Sequence, residues 1–131
     1  MSSEGYHEPY EILSGTTKER HRAIVSLIEE LEAIDWYQQR AEACSDAELR
    51  EVLLHHMREE VEHAMMNLEW LRRNDAVFAE KIAVYIDSRG PIVGVEAAEE
   101  AGAAGASEGG GAKAGARVAA GSLGIGSLKG A

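Results

Sequence analysis

Ser45–Arg73 reads SDAELREVLLHHMREEVEHAMMNLEWLRR. The stretch has neither Gly nor Pro, and Glu, Ala, Leu, Arg and Met fill most of it, so its intrinsic preference is helical. Leu49, Val52, Leu53, Met57, Ala64 and Leu71 recur at helical spacing and form one apolar stripe. Ser45 and Glu48 fit a capping box, Asp46 adds favourable charge in the first turn, and Arg72 and Arg73 suit the negative end of the helix dipole. The spacing therefore predicts a helix over 46–73. At 100° per residue, Glu60 falls in the middle of that stripe, between Leu49, Leu53 and Leu71. His63 lies on the same side, near Val52 and Trp70. A carboxylate among apolar neighbours is costly unless something pairs with its charge.

Outward from this segment, no Gly or Pro occurs between Gly15 and Gly90. Towards the N-terminus, Ala23, Ile24, Leu27, Ile28, Leu31 and Ile34 make a second stripe, and Thr16 with Glu19 fits another capping box, which predicts a helix over 17–42. Glu30 sits at the edge of this stripe, beside Ala23 and Ile34. The break falls near Cys44-Ser45. Counted from Ser45, Glu30 and Glu60 are each fifteen residues away. Antiparallel helices climb equally, so both carboxylates lie in one layer, about 22 Å from the turn, with His63 one turn beyond.

Two carboxylates and an imidazole converging in one layer are half of the ligand set of a two-metal carboxylate site in a four-helix bundle. The full set takes a Glu from each of two helices and a Glu-x-x-His from each of the other two. The two predicted helices hold a single Glu-x-x-His, so a two-fold symmetric dimer is expected to supply the rest. Such donors suit iron or manganese and accept zinc. The competing reading is a buried ion-pair network, for which Arg20, Arg22, Arg40, Arg50 and Arg58 are available. Further acidic groups surround the layer. Glu29 and Glu32 flank Glu30, with Asp35 beyond. His55, Glu59 and Glu62 share another face of the second helix, either as a cation-binding cluster or as a solvated surface. Trp36 and Tyr37 lie beside the layer.

The remaining segments are simpler. Residues 1–15 read as an irregular lead-in, with Gly5, Pro9 and Gly15 as breakers. A third helix is expected over 76–88, stopped by Arg89-Gly90-Pro91. Residues 92–100 have the makings of one more short helix. The chain divides into a helical domain (1–100), an Ala/Gly linker (101–121) too poor in large apolar residues to fold alone, and a tail (122–131) carrying Leu123, Ile125 and Leu128. The fold class is all-α: an antiparallel helical hairpin with a short C-terminal helix, dimerising into a four-helix bundle.

The whole chain has 131 residues and a formal net charge of −10. An acidic surface disfavours nucleic acid and concentrates cations. A folding part of about 90 residues gives a marginal single core, another reason to expect oligomerisation. No apolar run approaches the roughly 20 residues of a membrane span, and the polar N-terminus does not read as a signal peptide. One cysteine, Cys44, leaves no intrachain disulfide and favours a cytoplasmic location.

Three stretches carry a family likeness: Glu29-Glu30-Leu31-Glu32-Ala33-Ile34-Asp35-Trp36-Tyr37, Glu59-Glu60-Val61-Glu62-His63-Ala64, and Leu68-Glu69-Trp70-Leu71-Arg72-Arg73-Asn74-Asp75. Over residues 7–100 the chain resembles the encapsulated ferritins. Independently, Leu123-Gly124-Ile125-Gly126-Ser127-Leu128-Lys129 resembles the peptide that targets cargo into encapsulin shells. The resemblance implies a ferroxidase that oxidises Fe(II) to Fe(III) with dioxygen at a di-iron centre shared between two chains. It implies dimers arranged as a ring-shaped decamer, and iron storage in an encapsulin nanocompartment in the cytoplasm. By position, Glu30, Glu60 and His63 would be the iron ligands, and Glu29 and Glu32 the site through which metal enters. Trp36 and Tyr37 would be the aromatics beside the centre, and His55, Glu59 and Glu62 a peripheral metal site. Leu123, Gly124, Ile125, Gly126, Ser127 and Leu128 would bind the shell. The sequence is also compatible with two alternatives: a non-catalytic helical dimerisation and cargo module, and a di-iron peroxidase.

Overall fold

The computed structural model describes residues 5–106. The described residues are helical, with no strand among them. A short 3-10 turn, Tyr10–Ile12, precedes four helices: α1 (Gly15–Ala43), α2 (Ala47–Asn74), α3 (Ala76–Tyr85) and α4 (Ile92–Ala106). The tail at 122–131 lies outside the described residues.

Helices α1 and α2 form the expected hairpin. Cross-pairs fix its antiparallel sense: Tyr37 meets His56, Glu30 meets His63, and Arg20 meets Asp75, so one helix descends as the other climbs. The link Cys44–Asp46 is short enough to force this arrangement. Arg50 closes it from the side by donating to the Cys44 carbonyl.

Both helix starts differ from the capping boxes read in the sequence. The N-cap of α1 is Ser14, whose hydroxyl accepts from the Thr17 amide at 3.1 Å. The helix therefore begins two residues before Thr17, at Gly15. The N-cap of α2 is Asp46, not Ser45; its carboxylate accepts from the Leu49 amide at 2.7 Å. An ionised acceptor next to the first turn outcompetes a neighbouring hydroxyl. At the far end, Asp75 caps α3 by accepting from Val77 and Phe78 at 2.9 and 3.0 Å. It also pairs with Arg20 on α1 at 3.0 Å, tying the start of α3 to the start of the hairpin. Helix α3 stops at Tyr85, three residues short of the expected Ser88. Asp87 there adopts the left-handed region at φ 59°, which a continuing helix does not accommodate. Lys81 of α3 holds Glu99 of α4 at 2.8 Å.

The core of the single chain is sparse. Among the described residues only Ala41, Ala64 and Leu71 are buried. The α2 stripe read from the sequence accordingly splits in two. Ala64 and Leu71 lie closed against the rest of the chain and Leu53 and Met57 are half-buried, whereas Leu49 and Val52 are 50% and 45% exposed. The reason is geometric. A wheel shows which residues share an arc, but a hairpin covers only the part of that arc that faces the one partner helix. Glu60 sits on the boundary between the covered and uncovered parts, so it is half-buried rather than centred in a core.

Candidate metal centre

Glu30 comes from the middle of α1; Glu60 and His63 come from successive turns of α2. The three offer one ligand atom each, and these atoms lie within 4.8 Å of one another. His63 Nδ1 stands 3.4 Å from Glu60 Oε2 and 3.8 Å from Glu30 Oε2. Both carboxylates are half-buried; the imidazole is more open.

The electrostatics of the cluster are those of crowded acids. A side-chain hydrogen bond with Glu60 holds the Glu30 carboxyl above its ordinary value, with partial burial and the charge of Glu60 adding to the effect. The same bond holds Glu60 below its ordinary value, and His63 contributes in the same direction. Two carboxyls so close that each shifts the other are a site that a cation would relieve. The donor set fits: hard carboxylate oxygens with one imidazole nitrogen suit iron, manganese or zinc. None of the five arginines considered as ion-pair partners is salt-bridged to Glu30 or Glu60 among the described residues; their neighbours are His63 and each other.

The other sequence candidates lie outside this cluster. Glu29, Glu32, Glu59 and Glu62 are exposed. His55 pairs loosely with Glu59, Nε2 to Oε1 3.7 Å, on a solvated face. Trp36 is 52% exposed and lines a shallow groove with Gln39 and Arg40. Tyr37 is half-buried between His56, with ring centroids 5.3 Å apart, and Arg40. His56 has no assigned role in the sequence reading. Its position one turn before Glu60, and two turns before His63 on nearly the same face, is a signal that the wheel contained.

The exposed apolar residues continue from the site. Leu49, Val52 and Trp70 share the face of α2 that carries His63, and Met65 and Met66 lie further round. With Glu62, Glu69 and Arg73, Met65, Met66 and Trp70 line a shallow groove of about 490 Å³. Glu69 is held to about 2 by hydrogen bonds from Arg72 and Arg73. No described helix is long and apolar enough to cross a membrane.

Comparison with known proteins places this arrangement. The chain is 55% identical over 130 residues to an encapsulated ferritin-like protein of Rhodospirillum rubrum, a match spanning 99% of this chain and 91% of the relative. It is 44% identical over 91 residues to a ferritin-like protein of Thermotoga maritima, covering 70% of this chain and 80% of the relative. The crystal structure of protein ne0167 from Nitrosomonas europaea superposes with a TM-score of 0.65 at 51% identity, covering 67% of this chain and 97% of that one. A sequence model of the EncFtn-like family matches residues 5–89. These matches show that the chain belongs to the EncFtn-like family of encapsulated ferritin-like proteins.

Proposed function

We propose that the chain is a ferroxidase whose di-iron site is completed by a second copy of itself. The observation that carries the reading is the Glu30, Glu60 and His63 cluster, half of a two-metal ligand set, set beside an apolar face that the chain does not cover. A symmetric partner supplies the other three ligands and covers Leu49 and Val52 in one step. Membership of a ferritin-like family supports iron as the metal.

Fe(II) is the substrate. The acidic surface raises its local concentration, with Glu29 and Glu32 as the route inward and His55, Glu59 and Glu62 as a peripheral holding site. Glu30, Glu60 and the imidazole of His63 from each chain would hold the two ferrous ions. Two ferrous ions give up one electron each, dioxygen takes the pair with two protons from solvent and leaves as hydrogen peroxide, and the iron product is Fe(III). Trp36 and Tyr37 border the site. Dimers join into a ring, the decamer implied by the family resemblance. Residues 122–131 dock in an encapsulin shell in the cytoplasm, where the ferric product is stored. The relative from Rhodospirillum rubrum is described as encapsulated, which supports this destination.

Aerobic Fe(II) oxidation, followed by ferric absorbance, tests the proposal. The wild-type protein exceeds buffer and Glu60→Ala does not. Equal rates for the two proteins would point to a catalytically silent helical module. Deletion of residues 122–131 abolishes shell loading and leaves oxidation intact; a loss of oxidation would make the tail part of the fold instead.

A further inference from the structure

His55 and His56 are adjacent in sequence but serve different faces. A helix turns 100° between them. His55 points to the solvated side, where it meets Glu59. His56 points to the hairpin side, where its ring lies against Tyr37 with centroids 5.3 Å apart and planes tilted by 32°. The contact follows from helix geometry. Long side chains lean towards the N-terminus of their own helix. Tyr37 on α1 therefore leans away from the turn, towards the layer of Glu30. His56 on the antiparallel α2 leans towards the turn, and the two rings meet just below the carboxylates. Arg40 holds the Tyr37 ring from another direction, its guanidinium carbon 5.4 Å from the ring centroid. The site thus stacks along the hairpin as His63, then Glu30 with Glu60, then His56 with Tyr37. His56 is close enough to Glu60 for its charge to act on that carboxylate.

We propose that His56 is a positioning residue: its ring is the platform that keeps Tyr37 directed at the Glu30 and Glu60 layer. The residue works through Tyr37 and is not itself a ligand. For its kinetic consequence this inference rests on the ferroxidase reading; for the ring geometry it does not.

His56 shares its face of α2 with Leu49 and Val52, so native mass spectra of each variant check that the pairing of chains is kept. Two variants separate platform from chemistry. His56→Ala removes the ring, and His56→Phe keeps an aromatic surface without the nitrogens. The first readout is the Tyr37 ring resonance in the metal-free, full-length protein. In wild type and His56→Phe it is displaced by the neighbouring ring current; in His56→Ala that displacement is lost. The second readout is the initial rate of aerobic Fe(II) oxidation. It falls in His56→Ala by roughly two- to twelve-fold, the scale of one aromatic pair, and His56→Phe restores it. An unchanged Tyr37 resonance in His56→Ala overturns the proposal. So does equal impairment of both variants, since the nitrogens rather than the ring would then matter. If the ring result holds but the wild-type protein oxidises no iron, the positioning stands and the ferroxidase reading falls.

Discussion

Replacing Glu60 by Gln keeps the shape of the side chain and removes one charge, and it separates a metal centre from an ion-pair network. In the metal-free protein Glu30 and Glu60 repel each other. At the 4.8 Å upper bound on their ligand-atom separation, that repulsion is about 0.9 kcal/mol in water and about 3.5 kcal/mol at an effective dielectric of about 20. The half-buried site lies between these limits. Against this, the open His63 loses a contact worth at most about 1 kcal/mol. Metal-free Glu60→Gln is therefore unchanged or more stable, by about 0–2 kcal/mol. Metal reverses the order. A ligand at a hundredfold excess over Kd stabilises the native state by about 2.7 kcal/mol. Wild-type protein gains on that scale from Zn(II), used as a redox-inert probe, and the variant gains almost nothing. Urea unfolding at pH 7 and fixed protein concentration, with and without Zn(II), measures both. A metal-free variant clearly less stable than wild type would mean that Glu60 is held by attractive partners. Together with an indifferent response of wild type to Zn(II), that result would refute the metal-centre reasoning.

Other outcomes are expected from the same structure. Leu71 is fully enclosed, so Leu71→Ala loses about 2–5 kcal/mol, read as a lower urea midpoint with little change in slope. Asp75→Ala removes the cap of α3 and the Arg20 bridge, lowering the thermal midpoint at neutral pH. Hydrogen bonds from the Phe78 amide and Arg20 hold the Asp75 carboxyl below its ordinary value of 3.8. Its stabilisation is therefore present above that pH and fades as pH falls through the lower folded value. Melts of wild type and Asp75→Ala should converge as pH falls below 3.8, and a constant gap would contradict the assignment. Val52→Glu puts a charge on the uncovered face and should shift native mass spectra towards single chains while far-ultraviolet dichroism stays helical. Unchanged assembly would place the partner elsewhere.

The level placement of Glu30 and Glu60 could be read by counting, because both helices rise at one rate from a short turn. Two things could not. The first was which part of the α2 stripe the chain covers itself. Leu49 and Leu71 look alike on a wheel, yet one is half exposed and the other closed, because periodicity does not distinguish a helix of the same chain from one of a second chain. The second was the choice among adjacent caps. Asp46 prevails over Ser45 through its ionised carboxylate, whereas Ser14 prevails over Thr16, one hydroxyl over another, through local hydrogen-bond geometry that residue types do not encode. His56 was available to the same wheel that found His63. It stood out only once Tyr37 was seen against it, since a stacking partner on another helix leaves no trace in the spacing of its own.

The thin core also bears on rate laws. A chain whose described residues enclose three side chains and gather three candidate ligands has little that is complete on its own. Under the proposed pairing, specific activity is not a constant of the polypeptide. Diluted below the dissociation constant of the pair, it falls in proportion to concentration, and the observed rate becomes second order in chain. A newly made, solitary copy would then be silent towards iron. The capacity to hand electrons to dioxygen would arise only where chains are crowded together, so a compartment that gathers them acts as the switch as well as the store.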